Sequence, residues 1–231
     1  MSIVREHTGE PPLAHSSHRP PSVGLADALK SHTRPLHCRA ERSGILGDLL
    51  RGQAGPDAYA LLLRNLLPIY EAMERGLDRH RNSPTIAAFA KPEVYRSRAI
   101  RADLAVLSGP GWESSLSVVP SAARYAGRVA AVAAGGEATL IAHAYVRYLG
   151  DLNGGQMLKR ILGRTLGLTS ESLGFYDFPD ITDLALFTRL YRSAFDEAGV
   201  LLGAVEPLLA EAEAAFRFNI DLSEEVRRVT A

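Results

Sequence analysis

The sequence contains a single cysteine, no excess of either charge and no long apolar run, and each shortage excludes a class of protein. With Cys38 alone, no disulfide forms within the chain, which indicates a reducing compartment. Twenty-six basic residues balance 26 acidic ones, so neither nucleic acid nor an anionic membrane is expected as the main partner. No run approaches the roughly 18 apolar residues of a membrane span, and no signal-peptide core is present. We therefore expect a soluble, cytoplasmic protein without a membrane anchor.

Strands, repeats and nucleotide-binding or CxxC motifs are also missing. Of the 231 residues, 46% are hydrophobic, and they recur mostly at helical spacing. The pattern predicts an all-α protein of roughly eight helices in one domain, residues 23–228. Residues 1–22 hold four prolines and three histidines, and we interpret them as a disordered tail. Irregular histidine spacing in such a tail does not favour a metal site.

The stretch from Tyr145 to Gln156 is unusual for a helix because it contains three glycines. It lies within residues 137–167, which otherwise read as one long helix. Each mid-helix glycine costs about 0.8–1 kcal/mol relative to alanine, and no cap or turn residues accompany these. Bare backbone allows something flat or bulky to lie directly on the helix.

A carboxylate accompanies this bare patch. Gly150 and Gly154 are one turn apart, Asp151 projects beside them, and Arg147, one turn earlier, can hold that carboxylate. The alternative is a small-xxx-small contact where another helix crosses closely. The carboxylate and the third glycine, Gly155, favour a binding face over that contact.

A second candidate site is the pair His37 and Glu41, which are one turn apart. A carboxylate that orients an imidazole is the usual way to present a neutral histidine to a metal. Lys30 lies two turns before His37 on roughly the same face. Taken alone, an exposed His–Glu pair on an amphipathic helix is the commoner explanation. Pro35 interrupts this helix, which either kinks there or restarts with Thr33 as its N-cap.

Three other helices matter for the site. Asp57 is predicted to cap one that carries Tyr70, and Thr182 or Asp183 to cap another. The second of these is predicted to direct an apolar stripe inward, including Leu186 and Leu190. The last helix, residues 205–226, has Asn219 as the polar exception on its apolar face.

Together these features predict a cofactor site. One helix offers a single imidazole, and another offers a glycine-lined face with a carboxylate. Lys30, Tyr145 and Arg192 can supply charge and hydroxyls at an edge. A planar metallo-macrocycle with anionic side groups fits between such helices, with the imidazole in one axial position.

The stretch Tyr145–Gln156, YVRYLGDLNGGQ, resembles the signature of the haem oxygenase family. Residues 29–41 resemble that family's proximal-histidine segment. Residues 190–193 and 215–220 resemble later family segments, in the same order and at similar spacing. The resemblance covers about residues 22–226.

The resemblance implies a fold in which haem lies between a proximal helix and a kinked distal helix. It implies His37 as the iron ligand, Glu41 as its orienting acceptor, and Asp151 as the holder of a distal water network. The other implied site residues are Arg147 and Tyr70 in that network, Gly150 and Gly154 at haem and oxygen, Lys30, Tyr145 and Arg192 at the propionates, and Phe216 and Asn219 lining the pocket.

The activity implied by the resemblance is oxidative cleavage of haem b, which is both cofactor and substrate, to biliverdin, iron and carbon monoxide. Dioxygen and electrons from a ferredoxin or flavoprotein reductase would be required. Thr188, Val146 and Ser223 depart from residues found in some relatives, which leaves the seating of the ring open. The alternatives are a non-catalytic haem carrier or sensor, a thiaminase-like enzyme and a plain interaction protein. Cys38 makes the thiaminase-like alternative weak, because it points about 100° away from His37 around the helix.

Overall fold

The computed structural model describes residues 24–135 and 138–230, and these contain helices and turns but no strand. The predicted tail, residues 1–22, lies outside the described residues. No helix in the described part is both long and apolar enough to cross a membrane. The helices are α1 Leu25–Arg42, α2 Gly44–Leu50, α3 Pro56–Arg79, α4 Ser97–Ser108, α5 Trp112–Ser115, α6 Pro120–Gly135, α7 Leu140–Ala144, α8 Gly150–Leu166, α9 Leu184–Leu202 and α10 Glu206–Thr230.

Helix α3 lies at the centre, because one stripe along it is completely buried. Tyr59, Leu63, Leu67 and Tyr70 lie on this stripe and are each at most 1% exposed. Fully burying one such leucine contributes about 1.5–3 kcal/mol. Helices α4, α6 and α10 pack around α3. Core packing therefore determines where the Tyr70 side chain lies.

The glycine-rich stretch lies on one continuous helical segment, which we call the glycine helix (Leu140–Leu166). It consists of α7, a π-turn at Tyr145–Leu149, and α8. One extra residue in a π-turn rotates the following helical face by about 100° relative to the preceding one. Gly167, at φ 67°, ends the segment in the left-handed conformation that favours glycine. The predicted long helix is confirmed from Leu140 onward. The π-turn interrupts its regular geometry, and such turns are a common cause of the kind of kink that the resemblance implies.

Of the two alternatives predicted at Pro35 the restart is excluded, and the predicted cap of α3 is wrong. Helix α1 runs through Pro35 without restarting at Thr33, whose hydroxyl instead donates to the Leu29 carbonyl at 2.7 Å. Pro35 has no N–H to donate to the carbonyl of Ser31, one turn earlier. Because Ser31 is exposed, water can donate to that carbonyl instead. Helix α3 begins at Pro56 rather than being capped by Asp57, since proline is well suited to the first helical position.

Helix α9 begins as predicted but faces differently. Asp183 caps it by accepting the Leu186 N–H at 2.8 Å. Leu186 and Leu190, predicted to point inward, are 43% and 61% exposed, whereas Tyr191 and Phe195 are buried. The buried stripe of α9 is narrower than the run of apolar residues on it.

A buried carboxylate ties three helices together. Glu211 of α10 lies 3.0 Å from His143 Nε2 of α7 and accepts two hydrogen bonds from Arg128 of α6. Burial alone would raise the pKa of Glu211, but its partners outweigh burial and lower that pKa to about 2. A carboxyl whose pKa falls on folding stabilises the folded state above its unfolded pKa.

We expect Glu211→Gln to lower the free energy of unfolding at pH 7 by an amount on the order of 2–3 kcal/mol. The contribution should be complete above pH about 4.5 and disappear as the pH falls toward 2, so the two proteins converge in acid. Urea unfolding at several pH values measures this difference. A difference that stays constant from pH 7 to pH 3 would contradict the assignment.

Candidate functional site

Three of the four glycines in the glycine helix, Gly150, Gly154 and Gly155, face different surroundings. A Cβ atom added to Gly150 or Gly154 would meet no neighbouring atom within 4 Å. A Cβ on Gly155 would lie 3.2 Å from the Tyr176 ring. A closely crossing helix therefore does not explain Gly150 and Gly154, which border open space. Gly155 alone is required for close packing, against the turn Gly174–Tyr176.

Asp151 is held beside this open face by a tyrosine from another helix. The Tyr70 hydroxyl donates to Asp151 Oδ2 at 2.5 Å, whereas the nearest Arg147 nitrogen lies 3.9 Å from Oδ1. Arg147 donates to the Tyr70 hydroxyl at 2.7 and 3.0 Å. The sequence predicted that Arg147 could hold Asp151 directly, but in the structure it acts mainly through Tyr70.

Asn219, the polar exception on α10, completes this network. Its Oδ1 accepts a 2.7 Å hydrogen bond from Arg147. Its Nδ2 donates to the Ala215 carbonyl at 3.0 Å and to the Tyr125 hydroxyl at 3.5 Å. Asn219 is only partly buried, and its three partners come from the glycine helix, α6 and its own helix α10.

The electrostatics of the network favour proton exchange at the carboxylate. Burial raises the pKa of Asp151 above its ordinary value, against the opposing effects of Arg147, Tyr70 and Arg96. Burial also raises the pKa of Tyr70 far above its ordinary value, so that its hydroxyl stays protonated as a donor. Burial by itself lowers the pKa of Arg147, but the neighbouring phenols and carboxylate raise that pKa by a larger amount. The net pKa is raised, so the guanidinium stays charged. Asp151 is therefore the member of this group whose pKa moves toward neutrality, which suits proton transfer.

The second candidate site, on α1, is open to solvent. The His37 side chain is 55% exposed, and its Nδ1 lies 3.8 Å from Glu41 Oε1, too far for a direct hydrogen bond. The Phe216 ring meets the imidazole edge-on, with 5.8 Å between centroids. His37 Nε2 has no partner among the described residues. The imidazole is thus partly oriented and free to bind.

The predicted edge residues lie on the helices that flank this imidazole. Arg192 of α9 pairs with Asp27 of α1 at 2.6 Å. The Tyr145 ring meets the Phe195 ring of α9 edge-on, with 5.6 Å between the ring centroids. Lys30 is exposed on α1, and no carboxylate in the described part of the chain pairs with it.

The departures from some relatives have local explanations. The Thr188 hydroxyl donates to the Leu184 carbonyl of its own helix at 2.7 Å, so it offers no charge to the edge.

Ser223 joins α10 to α2, accepting the Leu46 N–H at 3.1 Å. A Cβ on Gly44, which has a φ of 58°, would lie 2.3 Å from the Ser223 backbone. Helix α2 therefore begins in direct backbone contact with α10. Val146 is buried in the core.

The two candidate sites, on α1 and on α8, are joined by the same two neighbouring helices. Helices α2 and α9 each pack against both α1 and α8, while α1 and α8 make little direct contact with each other. We call the space bounded by these four helices the cleft. A separate groove of about 500 Å³, between the start of α3 and the end of α10, is lined by none of the predicted site residues.

The side chains of the two sites suit a metal ion that is already held by a macrocycle better than a bare ion. Nowhere in residues 24–135 and 138–230 do three His, Cys, Asp or Glu side chains cluster as a metal site would require. A single imidazole cannot hold a bare ion, but it suffices as an axial ligand when a macrocycle supplies four nitrogens. The bare backbone at Gly150 and Gly154 leaves room for such a flat ring, and Lys30 and Arg192 suit its acidic side groups.

Two contributors to the site were missed from the sequence. Asp27, which pairs with Arg192, lies one turn before Lys30, so helical spacing could have revealed it. Tyr125 lies on the buried stripe of α6, where nothing distinguishes it from an ordinary core aromatic.

The known proteins that this chain is similar to share one family. A family model described as Heme oxygenase matches residues 23–225. Human heme oxygenase 1 is 36% identical over 208 residues, covering 89% of this chain and 72% of the human protein. The crystal structure of heme oxygenase-1 from the cyanobacterium Synechocystis, in complex with heme, superposes with a TM-score of 0.85 at 32% identity, covering 90% of this chain and 94% of that one. The heme oxygenase from Leptospira interrogans gives a TM-score of 0.82 at 32% identity, covering 88% and 100%. By sequence and by fold, this chain belongs to the haem oxygenase family.

Proposed function

We propose that the cleft is where this chain, as a haem oxygenase, binds haem b and cleaves it to biliverdin with release of iron and carbon monoxide. The observation that carries the proposal is the open space over Gly150 and Gly154, directly beside a buried carboxylate whose pKa is raised. Haem, when bound, supplies both the iron that activates dioxygen and the ring that is cleaved. The side chains supply binding, orientation and proton transfer.

His37 would hold the iron. Glu41, now 3.8 Å from the imidazole Nδ1, would become its acceptor after a small movement of its exposed side chain. Phe216 meets that imidazole edge-on and restricts its rotation. Lys30, Tyr145 and Arg192 would hold the acidic side groups of the ring. For Arg192, this means sharing or exchanging its present partner Asp27.

Asp151 would organise water over the glycine helix at Gly150 and Gly154 and would hold a proton that this water can relay. Tyr70 donates to one carboxylate oxygen at 2.5 Å and leaves the other for water. Arg147 and Asn219 hold Tyr70 in position from behind. Because Gly150 and Gly154 have no side chains, they would leave room over the ring for dioxygen, next to the Asp151 carboxylate.

The reaction consumes electrons, because dioxygen has to be reduced while haem is cleaved, and a donor has to supply them. We propose a ferredoxin or a flavoprotein reductase as the donor and a cytoplasmic location. Both suit a chain with one cysteine and balanced charge.

The decisive experiment is an aerobic absorption time course. One equivalent of haemin should produce a Soret band, and ascorbate with catalase present should replace that band with the broad red absorption of biliverdin. A stable ferrous-oxy or ferric spectrum, also with a ferredoxin reducing system, would instead identify a haem carrier. No Soret change on adding haemin would refute both functions.

An alanine in place of Gly150 should stabilise the fold but slow the reaction. Because a Cβ at position 150 meets no neighbour, Gly150→Ala should raise the free energy of unfolding by up to about 1 kcal/mol. The same methyl group intrudes on the space for ring and oxygen, so biliverdin formation should slow by up to about 100-fold. Urea unfolding and the time course above measure the two effects.

Gly155→Ala is the matched control. Its Cβ would press on the Tyr176 ring, so this variant should gain less stability or lose some, without blocking the glycine face. Equal effects of the two alanines on turnover would contradict the proposed role of Gly150.

A further inference from the structure

The arginine at the edge of the cleft already binds a carboxylate that belongs to the protein itself. Arg192 of α9 donates to Asp27 Oδ1 of α1 at 2.6 Å. The other guanidinium nitrogens of Arg192 have no partner in the described part of the chain. Lys30 is exposed one turn further along α1. The ion pair therefore lies where the proposed function places the acidic side groups of the ring.

The Tyr145 hydroxyl of the glycine helix lies close to the same ion pair. Burial raises the pKa of Tyr145, and the two charges act on that pKa in opposite directions, since Arg192 lowers it and Asp27 raises it. Both charges are therefore within electrostatic range of the hydroxyl. Among these three side chains and Lys30, Asp27 alone is negative, like the acidic side groups of the ring.

The ion pair is not needed to keep α1 against α9. Asp196 of α9 accepts the Ala26 N–H at 2.9 Å. A Cβ added to Gly199 would lie 2.9 Å from the Leu25 Cβ, so the two helices are already in close contact at this point. These contacts hold the start of α1 without any help from an ion pair.

The Asp27 side chain has only a small structural role of its own. It is 66% exposed, and exposed ion pairs contribute little to stability. An acidic residue in the first turn of a helix also interacts favourably with the helix dipole, but that interaction does not require Arg192. The pairing of these two side chains is therefore better explained by the site than by the fold.

We propose that Asp27 competes with the acidic side groups of the ring for Arg192. Its carboxylate neutralises the guanidinium before the ring binds, weakens the attraction of Arg192 for the bound ring, and so speeds release of the product. The inference rests on the proposed function and adds to it a residue that controls affinity and release.

The product depends more on this edge than haem does. Biliverdin keeps both carboxylates of haem but has lost the iron, and with it the bond to His37. Contacts at the edge are therefore a larger share of what retains the product. Two carboxylates beside one guanidinium also repel each other, so Asp27 weakens the binding of both molecules at the edge. Haem is still retained by His37, whereas biliverdin is free to leave.

The test is Asp27→Asn, which removes the charge and nearly preserves the shape. This variant should bind haemin and biliverdin about 2- to 5-fold more tightly, the scale of an exposed ion pair. Transfer of haemin to excess apomyoglobin measures its dissociation, and absorption titration measures biliverdin binding. Repeated turnover should slow relative to the first turnover, because the product leaves more slowly. Unchanged or weaker binding of both molecules in Asp27→Asn would overturn the proposal.

Two further measurements identify Arg192 and the acidic side groups as the partners in this competition. Haemin dimethyl ester has no free carboxylates, so Asp27→Asn should leave its affinity unchanged. In a protein that already carries Arg192→Gln, most of the gain from Asp27→Asn should disappear, which a double-mutant cycle measures. Equal tightening with the ester, or without Arg192, would assign the effect to the start of α1 or to overall charge and overturn the competition.

Asp78→Asn is the matched control. Asp78 is also exposed and pairs with Arg81 at 2.8 Å, but it lies on α3, which does not bound the cleft. Removing this charge should change neither affinity. A gain as large as that of Asp27→Asn would show that net charge alone sets the affinity, against the proposal.

The outcomes also separate this inference from the proposed function. A normal Soret band and normal biliverdin formation, with the affinities unaltered in Asp27→Asn, would refute the competition and leave the function intact. Absence of a Soret band on adding haemin to the unaltered chain would refute the haem site itself.

Discussion

Asp151→Ala should bind haemin with a normal Soret band but form biliverdin at least about 100-fold more slowly, the usual scale of a lost proton-transfer group. The carboxylate is buried, its pKa is raised, and Tyr70 holds one of its oxygens at 2.5 Å. Removing it empties the position from which water over the glycine face is organised. The time course with ascorbate and catalase measures the loss, and the ferric spectrum verifies that binding is intact.

Asp151→Asn distinguishes proton transfer from simple packing. The amide has the same size and still offers an oxygen to Tyr70, but it cannot ionise. We expect it to lose nearly as much activity as the alanine variant. Full activity in Asp151→Asn would mean that shape alone matters, and unchanged turnover in Asp151→Ala would refute the assigned role.

His37→Ala should lose the axial imidazole, change the ferric absorption spectrum and reduce turnover by at least about 100-fold. This estimate follows because losing a group that merely supports a ligand already costs 10–100-fold. Since the His37 side chain is 55% exposed, free imidazole in solution should reach the vacated position. Added imidazole should therefore restore the spectrum and part of the turnover.

His32→Ala is the matched control on the same helix. That imidazole lies 3.3 Å from Glu213 and is also exposed, so its loss should leave spectrum and turnover unchanged. An unaltered ferric spectrum in His37→Ala, or no response to imidazole, would show that another residue holds the iron.

Local order along the chain predicted most of the helices and the two halves of the site. Helical periodicity extends over only four to eight residues, so it can be recognised without knowing the fold. The pairing of His37 with Glu41 and the order Gly150, Asp151, Gly154 are of this kind. The sequence alone therefore determined the helical class, the position of the glycine helix and the residue types available for haem chemistry.

Tertiary structure decided which of these residues act together. Tyr70 reaches Asp151 across 81 residues, and Asn219 reaches Arg147 across 72, because α3 and α10 pack against the glycine helix. The same packing directs Gly155 at Tyr176 while Gly150 and Gly154 stay open. It also left Leu186 and Leu190 exposed, against the predicted apolar stripe. These outcomes depend on the angles and distances at which whole helices pack, and no local pattern encodes them.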